Sequence, residues 1–297
     1  MGVAARMLAQ EPATFSTGVK VVSLFATVRD KDGRAVKGLS QDDFVLLEDG
    51  APQTIRYFSS ESGLPLTLGL LVDTSRSQEG VLECERQASK VFLERMLRED
   101  LDQALIVHFD ERVETLQPLT SSRREQASSL DRLRVPRNYA TLIYSAIRET
   151  AENAMRLQTG RKAFILLTDG VAFRDHTSIE TAIEFAQRAD TIIYPIRFAD
   201  SIKVYRPVKA AVLAAASEKG KQGLKRMANE TGGVSYEVSK GRTIADIYSE
   251  IEDALRNQYS IGYTPEHPGG DGKYRKVKLT VKERGLVVNT RDGYYAK

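Results

Sequence analysis

The beginning of the chain has the alternating pattern of β-strands. Apolar residues occupy every second position of the segment 22–28, which is the period of a strand with one buried face. Two further strand-like segments, 44–47 and 54–58, flank the turn signal Asp49-Gly50, and we predict that they form a hairpin. Three short strands cannot bury a stable core of their own, so they must pack against something else.

The middle of the chain changes to alternating strands and helices. Four apolar runs have the pattern of strands buried on both faces, namely residues 67–72, 104–108, 163–167 and 191–196. Apolar residues spaced three and four apart predict amphipathic helices between and after these runs. This alternation predicts a doubly wound, Rossmann-like α/β fold with a mainly parallel sheet. The segment 112–119 follows the second run too closely for a crossover helix, so we expect an antiparallel hairpin there.

Strand patterns return after residue 257, in the segments 259–263, 277–281 and 286–290. Because neither terminal set of strands is stable alone, we expect both to pair in one small β-sandwich, with the α/β domain inserted between them. The predicted division is a disordered leader or signal remnant at 1–16, a discontinuous β-rich unit at 17–62 and 258–297, and an α/β domain at 63–257.

Composition restricts the classes of function. The 297 residues include 43 basic and 40 acidic side chains and have a net charge of +3, which argues against nucleic acid or a membrane surface as the main partner. No apolar run approaches the ~18 residues that span a bilayer. The single cysteine, Cys84, excludes an intrachain disulfide; it falls on an apolar helical stripe, so we expect it to pack in the core, with a reactive thiol as the alternative. The three histidines stand far apart, which argues against a zinc site of the usual kind.

Candidate chemistry gathers at the ends of the predicted strands. The first buried run ends in an acid followed by two hydroxyls at alternate positions, Asp73, Ser75 and Ser77. Thr141 lies in a polar loop before the third helical stripe, and the third run ends in Asp169. A parallel sheet brings its carboxyl-end loops together, so three hydroxyls and two carboxylates would surround one hard cation such as Mg²⁺ or Mn²⁺. The alternative for the first motif alone is a helix cap.

These residues resemble the metal-ion-dependent adhesion site (MIDAS) of von Willebrand factor A (VWA) domains. The DxSxS motif runs from Asp73 to Ser77, the isolated threonine of the family corresponds to Thr141, and the aspartate of its TDG motif corresponds to Asp169. The match covers about residues 66–257. The resemblance implies a Mg²⁺ or Mn²⁺ ion at these residues, with an Asp or Glu side chain of a partner protein completing its coordination.

The flanking segments extend the resemblance. Residues 28–60 and 259–296 look like the ends of the VWFA-related proteins abundant in Acidobacteria. Many members of that family carry secretion signals, so the resemblance implies an extracytoplasmic location, periplasmic or secreted. Two features depart from the family: residues 139–140 are Tyr-Ala where it has Gly-Gly, and Ser145 stands where it often has Asp.

The leading hypothesis is therefore a metal-dependent protein-binding or adhesion module that is not an enzyme. One alternative is a structural module whose metal site is vestigial or only stabilising, and another is a metal-dependent hydrolase. A phosphatase with an Asp nucleophile would have a second Asp where Ser75 stands, and the chain has no P-loop, GxSxG or GxGxxG motif. We expect His108 to be packed rather than catalytic. The basic segment 203–225 either forms a solvent-exposed helix face or attracts an anionic partner.

Overall fold

The structure is a computed structural model that describes residues 21–60, 63–136, 140–198, 210–265 and 271–296. In chain order its strands are β1 (Val22–Arg29), β2 (Phe44–Glu48), β3 (Ala51–Gln53), β4 (Ile55–Ser59), β5 (Leu66–Asp73), β6 (Gln103–Phe109), β7 (Val113–Thr120), β8 (Arg161–Thr168), β9 (Thr191–Arg197), β10 (Tyr236–Glu237), β11 (Tyr259–Tyr263), β12 (Tyr274–Val281), β13 (Val287–Asn289) and β14 (Gly293–Tyr295). Its α-helices are α1 (Leu82–Met96), α2 (Arg123–Leu130), α3 (Ile143–Asn153), α4 (Ile179–Arg188), α5 (Ala210–Thr231) and α6 (Ile244–Arg256).

A six-stranded sheet with the order β10-β9-β8-β5-β6-β7 forms the centre of the molecule. Its neighbouring strands are parallel except for β6 and β7, which pair antiparallel. Every residue of β5 and of β8 is buried, because helices cover both faces of a doubly wound sheet. The predicted α/β class with a mainly parallel sheet is confirmed.

Two hydrophobic cores lie on the two faces of this sheet. On one face α1, α2 and α6 pack against the strands, and the rings of Phe92 and Tyr248 stack with centroids 4.3 Å apart. On the other face Ile147 of α3, Ile183 of α4 and Leu224 of α5 lie over the strands. The carboxyl ends of β5 and β8 therefore emerge at one edge between two helical layers. None of the described helices is long and apolar enough to cross a membrane.

The strands near the two ends of the chain form two four-stranded sheets, with the orders β13-β1-β11-β4 and β14-β12-β2-β3. Each sheet contains strands from both ends, and they share a core in which Leu24 and Phe44 meet Ile261 and Leu279. Strand β11 lies between β1 and β4 and pairs with both. Two strands from the beginning of the chain are therefore joined in one sheet by a strand from its end. The residue bounds of the two units stay a prediction.

Arg161, the first residue of β8, links the two points where the α/β domain meets the terminal sheets. The residue is only 4% exposed. Its guanidinium donates a hydrogen bond of 2.9 Å to the carbonyl of Leu64, before β5, and another to the carbonyl of Leu255, near the end of α6. The entry and exit of the domain are therefore held side by side by one buried cation.

The prediction that Cys84 packs in the core was wrong, because the cysteine is exposed. The buried face of α1 instead contains Leu82, Glu85 and Phe92, and the apolar residue Val91 is 54% exposed. Two different faces of this helix have residues spaced three and four apart. The face that is buried includes the charged residue Glu85, so a search for apolar residues alone selected the other face.

The predicted hairpin around Asp49-Gly50 was wrong in its second strand. Both turn residues have positive φ, 48° and 87°, as a two-residue hairpin turn requires. Such a turn brings only the next few residues opposite β2, and these form β3. Strand β4 lies in the other sheet, where it pairs with β11.

The predicted basic segment lies partly outside the described residues, which exclude Lys203, Arg206 and Lys209. Its other lysines, at positions 219, 221 and 225, lie on the exposed face of α5. Lys221 forms an ion pair of 3.0 Å with Glu237. This arrangement is that of a solvated helix face.

Candidate metal centre

Strand β5 delivers Asp73 to the carboxyl edge of the central sheet, where the residue is fully buried. The backbone N–H of Ser75 donates a hydrogen bond of 2.9 Å to its Oδ1. The hydroxyl of Thr168, at the end of β8, donates a bond of 2.6 Å to its Oδ2. The Ser75 side chain also donates to this carboxylate. Each carboxylate oxygen thus has at least one protein donor, and the side chain is fixed across two adjacent strands.

The two serine hydroxyls lie beside this carboxylate. The Oγ atoms of Ser75 and Ser77 are 3.2 Å apart, and Ser77 is the more exposed of the two residues. Ser75 precedes a short 3-10 turn, Arg76–Gly80, but its side chain makes no capping hydrogen bond there. Helix capping therefore does not account for the DxSxS motif.

Asp169, directly after β8, is 3% exposed and completes the acidic pair. Its Oδ1 accepts a hydrogen bond of 2.8 Å from the backbone N–H of Val171, and it also accepts from the Ser77 side chain. The following Gly170 has φ 86°. A Cβ there would come within 2.9 Å of Leu224 in α5, so the glycine lets the strand end pass directly beneath the helix.

The electrostatics of this edge favour an added cation. Burial, followed by the charge of Asp169, raises the pKa of Asp73 to about 7. Burial also raises the pKa of Asp169, against the opposing effect of its hydrogen bonds. Among the residues described, neither carboxylate has an ion pair with Lys, Arg or His. Arg197 is near, but it donates to the backbone carbonyl of Asp169 and pairs with Glu237 at 3.1 Å.

Thr141 is brought to the same edge by a loop that pairs with the loop after Asp169. The residue is 7% exposed. Its backbone N–H donates to Phe173 O at 2.9 Å, and Phe173 N–H donates to Thr141 O at 3.1 Å. Tyr139, which departs from the family pattern, lies outside the described residues. The observed contacts of Thr141 are those of its backbone, so its role as a ligand remains a prediction.

Asp175 supports the beginning of α3 next to this loop. Its Oδ2 accepts a hydrogen bond of 2.7 Å from the backbone of Tyr144, and its Oδ1 accepts one of 2.6 Å from the hydroxyl of Ser145. A carboxylate from the loop after β8 therefore lies against Ser145, the position where the VWA pattern often has Asp. Sequence reasoning singled out Ser145 but did not predict its contact with Asp175.

Glu85 is a further acidic residue that sequence reasoning missed. It lies on the buried face of α1 and is fully buried. Neither of its carboxylate oxygens has a hydrogen-bond partner among the described residues. Burial, then the charges of Asp73 and Asp169, raise its pKa well above the ordinary value. The available signal was its phase: Glu85 is three residues after Leu82 and seven before Phe92, on one helix face.

His108 is packed, as expected. Its Nδ1 lies 3.0 Å from the hydroxyl of Thr74, and that hydroxyl donates to Asp110 at 3.0 Å. Its Nε2 lies 3.2 Å from a carboxylate oxygen of Glu114. These contacts tie the ends of β5, β6 and β7 together beside the acidic pair.

The donors at this edge fit a hard divalent cation. They are carboxylate and hydroxyl oxygens, the ligand types that Mg²⁺ and Mn²⁺ prefer. The described part of the chain contains no group of three or more His, Cys, Asp and Glu placed to hold a metal. A site at this edge therefore depends on serine or threonine hydroxyls in addition to Asp73 and Asp169.

Comparison with solved structures identifies the fold. A von Willebrand factor type A protein from Catenulispora acidiphila aligns over 92% of this chain and 73% of its own, with TM-score 0.53 and 13% identity. The fold is that of a VWA domain. The vWF domain of the pilus tip protein Mfa5 from Porphyromonas gingivalis also aligns, over 65% of this chain and 95% of its own, with TM-score 0.50 and 12% identity.

A third VWA-fold neighbour comes from the mussel byssus. Proximal thread matrix protein 1 aligns over 70% of this chain with TM-score 0.54 and 16% identity, and the chain covers 50% of the length of that protein. A second structure of the mussel protein has zinc in its MIDAS motif. No profile of a protein family and no curated protein sequence matches the chain.

Proposed function

We propose that this chain is a metal-ion-dependent protein-binding module. The cation would be held by a set of oxygen ligands at the carboxyl edge of the VWA sheet, namely Asp73, Ser75, Ser77, Thr141 and Asp169. A carboxylate of a partner protein would complete the coordination. The observation that carries the proposal is the buried pair Asp73 and Asp169, which has serine hydroxyls beside it and no ion pair among the described residues.

The chain's own groups are arranged for this role before any cation arrives. Asp73 is held by donors from Ser75 and Thr168, so it does not have to be ordered on binding. A Mg²⁺ or Mn²⁺ ion bound here would supply an electropositive centre facing solvent. Because hydroxyl ligands are neutral, much of its charge would remain uncompensated, and an anionic oxygen from a partner would be strongly attracted.

The comparisons support the adhesive interpretation by analogy. One neighbour with this fold is a matrix protein, another is a pilus tip protein, and the mussel protein has zinc in its MIDAS motif. We propose Mg²⁺ or Mn²⁺ for this chain because the donors are hard oxygens. An extracytoplasmic location and kinship with the acidobacterial VWFA-related proteins belong to the same proposal.

Titration with Mn²⁺, followed by water-proton relaxation, tests the metal site. The wild-type chain should bind Mn²⁺, and Mg²⁺ should compete with it. Asp73→Asn should weaken the binding on the order of 100-fold, whereas Asp131→Asn, which changes an acid paired with Lys90 on the surface, should not. Equal Mn²⁺ binding by all three proteins would show that the ion binds elsewhere.

Capture of partners in Mn²⁺ and their release by EDTA test the protein-binding role. Proteins of the native host that bind wild type should fail to bind Ser75→Ala. If the cation only stabilises the fold, it should still raise the melting temperature, but no protein should be captured in Mn²⁺ and released by EDTA. That result would favour the structural alternative.

A further inference from the structure

The loop that follows Asp169 presents a large aromatic side chain to solvent beside the candidate metal centre. Phe173, four positions after Asp169, is 52% exposed. Its neighbours along the loop do not cover it, and the next residue, Arg174, is also exposed. A single exposed phenylalanine is ordinary on a protein surface, so its meaning here depends on its position at the rim of the proposed binding site.

This ring stands on a rigid base. Two backbone hydrogen bonds, of 2.9 and 3.1 Å, join Phe173 to Thr141. Two residues later, Asp175 accepts hydrogen bonds from the backbone N–H groups of Tyr144 and Ser145 at 2.7 and 3.2 Å. The loop is thus fixed at the residue that carries the ring and again two residues later. A contact on an ordered loop loses less conformational entropy on binding than one on a mobile loop.

Arg174 adds a positive charge next to the ring. Its guanidinium carbon lies 5.4 Å from the centroid of Phe173, within the range of a cation–π contact. Among the residues described it has no acidic partner, in contrast to Arg188 and Arg197. Its φ is +58°, a left-handed conformation that is uncommon for a residue with a long side chain. The cation therefore remains available to an anionic ligand.

We propose that Phe173 and Arg174, here called the 173–174 rim, form a second contact site next to the metal. The proposal rests on the proposed function and specifies its ligand. The partner segment would contain an Asp or Glu for the metal and a bulky apolar side chain within two residues of it. Residues paired across two strands lie about 5 Å apart, and two extended residues span about 7 Å. A partner carboxylate near Thr141 therefore places its close neighbours over Phe173.

The chemistry of the rim selects this ligand over a simple acid. The ring buries apolar surface of the partner, and the guanidinium strengthens the attraction for the adjacent carboxylate. An acidic peptide flanked only by small or polar residues would satisfy the cation and leave the ring exposed. The rim thus distinguishes among acidic partners that the metal alone would treat alike.

A displayed library of random 12-residue peptides provides the test. It is selected on the immobilised wild-type chain in Mn²⁺ and eluted with EDTA. We expect enrichment of sequences in which Asp or Glu has Phe, Tyr, Leu or Met within two positions. A synthetic peptide of the enriched sequence should bind Phe173→Ser about tenfold more weakly than wild type. The effect of Arg174→Ser should be about threefold and should shrink at high salt.

Two controls separate the rim from the metal site and from the fold. Both rim variants should keep wild-type Mn²⁺ affinity and melting temperature, because neither side chain belongs to the proposed ligand set or to a core. Tyr57→Ser removes an aromatic residue that is 57% exposed on β4, and it should leave peptide affinity unchanged.

The possible failures are distinguishable. Metal-dependent enrichment of acidic peptides without an apolar neighbour, or equal affinity of Phe173→Ser, would overturn the role of the rim and leave the proposed function standing. Enrichment that contains no acidic residue, or that EDTA does not release, would overturn both. Dimerisation of the chain in Mn²⁺ that Phe173→Ser abolishes would show that the ring meets a second copy, contrary to the proposal.

Discussion

The two edges of the central sheet each contain a buried aspartate, and their surroundings are opposite. At the amino edge, Asp102 precedes β6 and is 2% exposed. Its Oδ1 accepts from the backbone N–H of Leu66 at 2.9 Å, and its two oxygens accept from Nη2 and Nε of Arg98 at 2.9 and 2.8 Å. Burial acts to raise its pKa, but these hydrogen bonds and the Arg98 charge outweigh burial and lower it.

At the carboxyl edge, Asp73 has the opposite balance. It lies deeper than Asp102, its donors are the backbone N–H and side chain of Ser75 and the hydroxyl of Thr168, and its charged neighbour is another acid, Asp169. Its pKa rises to about 7, whereas that of Asp102 falls. The chain itself balances the charge of Asp102, whereas the charge of Asp73 is left unbalanced, which is what the proposed cation site requires. Four predictions test this difference, from the largest expected effect to the smallest.

Asp102→Asn should have the largest effect, and only on stability. The variant replaces the carboxylate that accepts from the Leu66 N–H and from Arg98 with a neutral amide. Because the Arg98 side chain is 40% exposed, its charge stays solvated, and we expect the free energy of unfolding to fall by about 3 kcal/mol, the upper end for hydrogen bonds to a charged group. Urea denaturation measures the loss. Mn²⁺ affinity, measured under conditions where the variant is folded, should match wild type. A loss of Mn²⁺ binding by the folded variant would show that the two edges are not independent.

Asp73→Asn should reverse this pattern. Asp73 is a proposed metal ligand, so its removal should weaken Mn²⁺ binding on the order of 100-fold, at least as much as loss of a residue that only hydrogen-bonds a ligand. The free energy of unfolding without metal should be unchanged or higher at pH 8, because the variant no longer buries a charge beside Asp169. Titration calorimetry and urea denaturation provide the two measurements. Marked destabilisation of the metal-free variant would assign Asp73 a structural role like that of Asp102.

The affinity for Mn²⁺ should rise with pH. Because the pKa of Asp73 without metal is about 7, roughly nine tenths of this group is protonated at pH 6 and roughly one tenth at pH 8. Cation binding requires the deprotonated form, so the dissociation constant should fall about tenfold between these values. Relaxation titrations at several pH values measure it. A constant affinity over this range would contradict the proposed coupling between burial and binding.

The stability of the metal-free protein should fall as pH rises, and Glu85 should contribute to the fall. Its folded pKa lies well above the ordinary value, so the folded state holds more protons than the unfolded state above about pH 4.5. The stabilisation is therefore complete below that pH and is lost as pH approaches the folded pKa. Glu85→Gln should be more stable than wild type at pH 8 by about 1 kcal/mol and equal to it at pH 4. Parallel pH profiles of the two proteins would exclude this role.

Local pattern was sufficient to predict the architecture, for a physical reason. Strands buried on both faces are continuous apolar runs, and the helices that cover them have apolar residues at every third or fourth position. The order of strands and helices in the VWA fold can therefore be predicted from the sequence. Asp73 is the last residue of such a strand and Asp169 directly follows another. Their position at the carboxyl edge therefore followed from the parallel arrangement, although their role as ligands remains a prediction.

Contacts between distant segments were not predictable in the same way. The phase of α1 was misassigned because its buried face contains Glu85, an acid that helix patterning places in solvent. Phe173 and Asp175 support the Thr141 loop and the start of α3 through hydrogen bonds between residues far apart in the sequence. Ser145 and Asp175, for example, are 30 positions apart. No local period encodes such contacts. The hairpin partner of β2 was missed because β4 crosses to a sheet completed only by β11.

The placement of β11 between β1 and β4 determines an order of events during synthesis. Until Tyr259–Tyr263 has left the ribosome, β1 and β4 have open backbone edges and an uncovered apolar face. The α/β domain, whose sheet lies entirely before that point, is able to fold first. Once Arg161 holds Leu64 beside Leu255, the long intervening chain behaves as a short connection, and closure of the terminal sheet loses little further entropy. A nascent chain arrested before β11 would therefore expose unpaired strand edges next to a folded α/β domain. Such edges are prone to aggregation and are bound by chaperones.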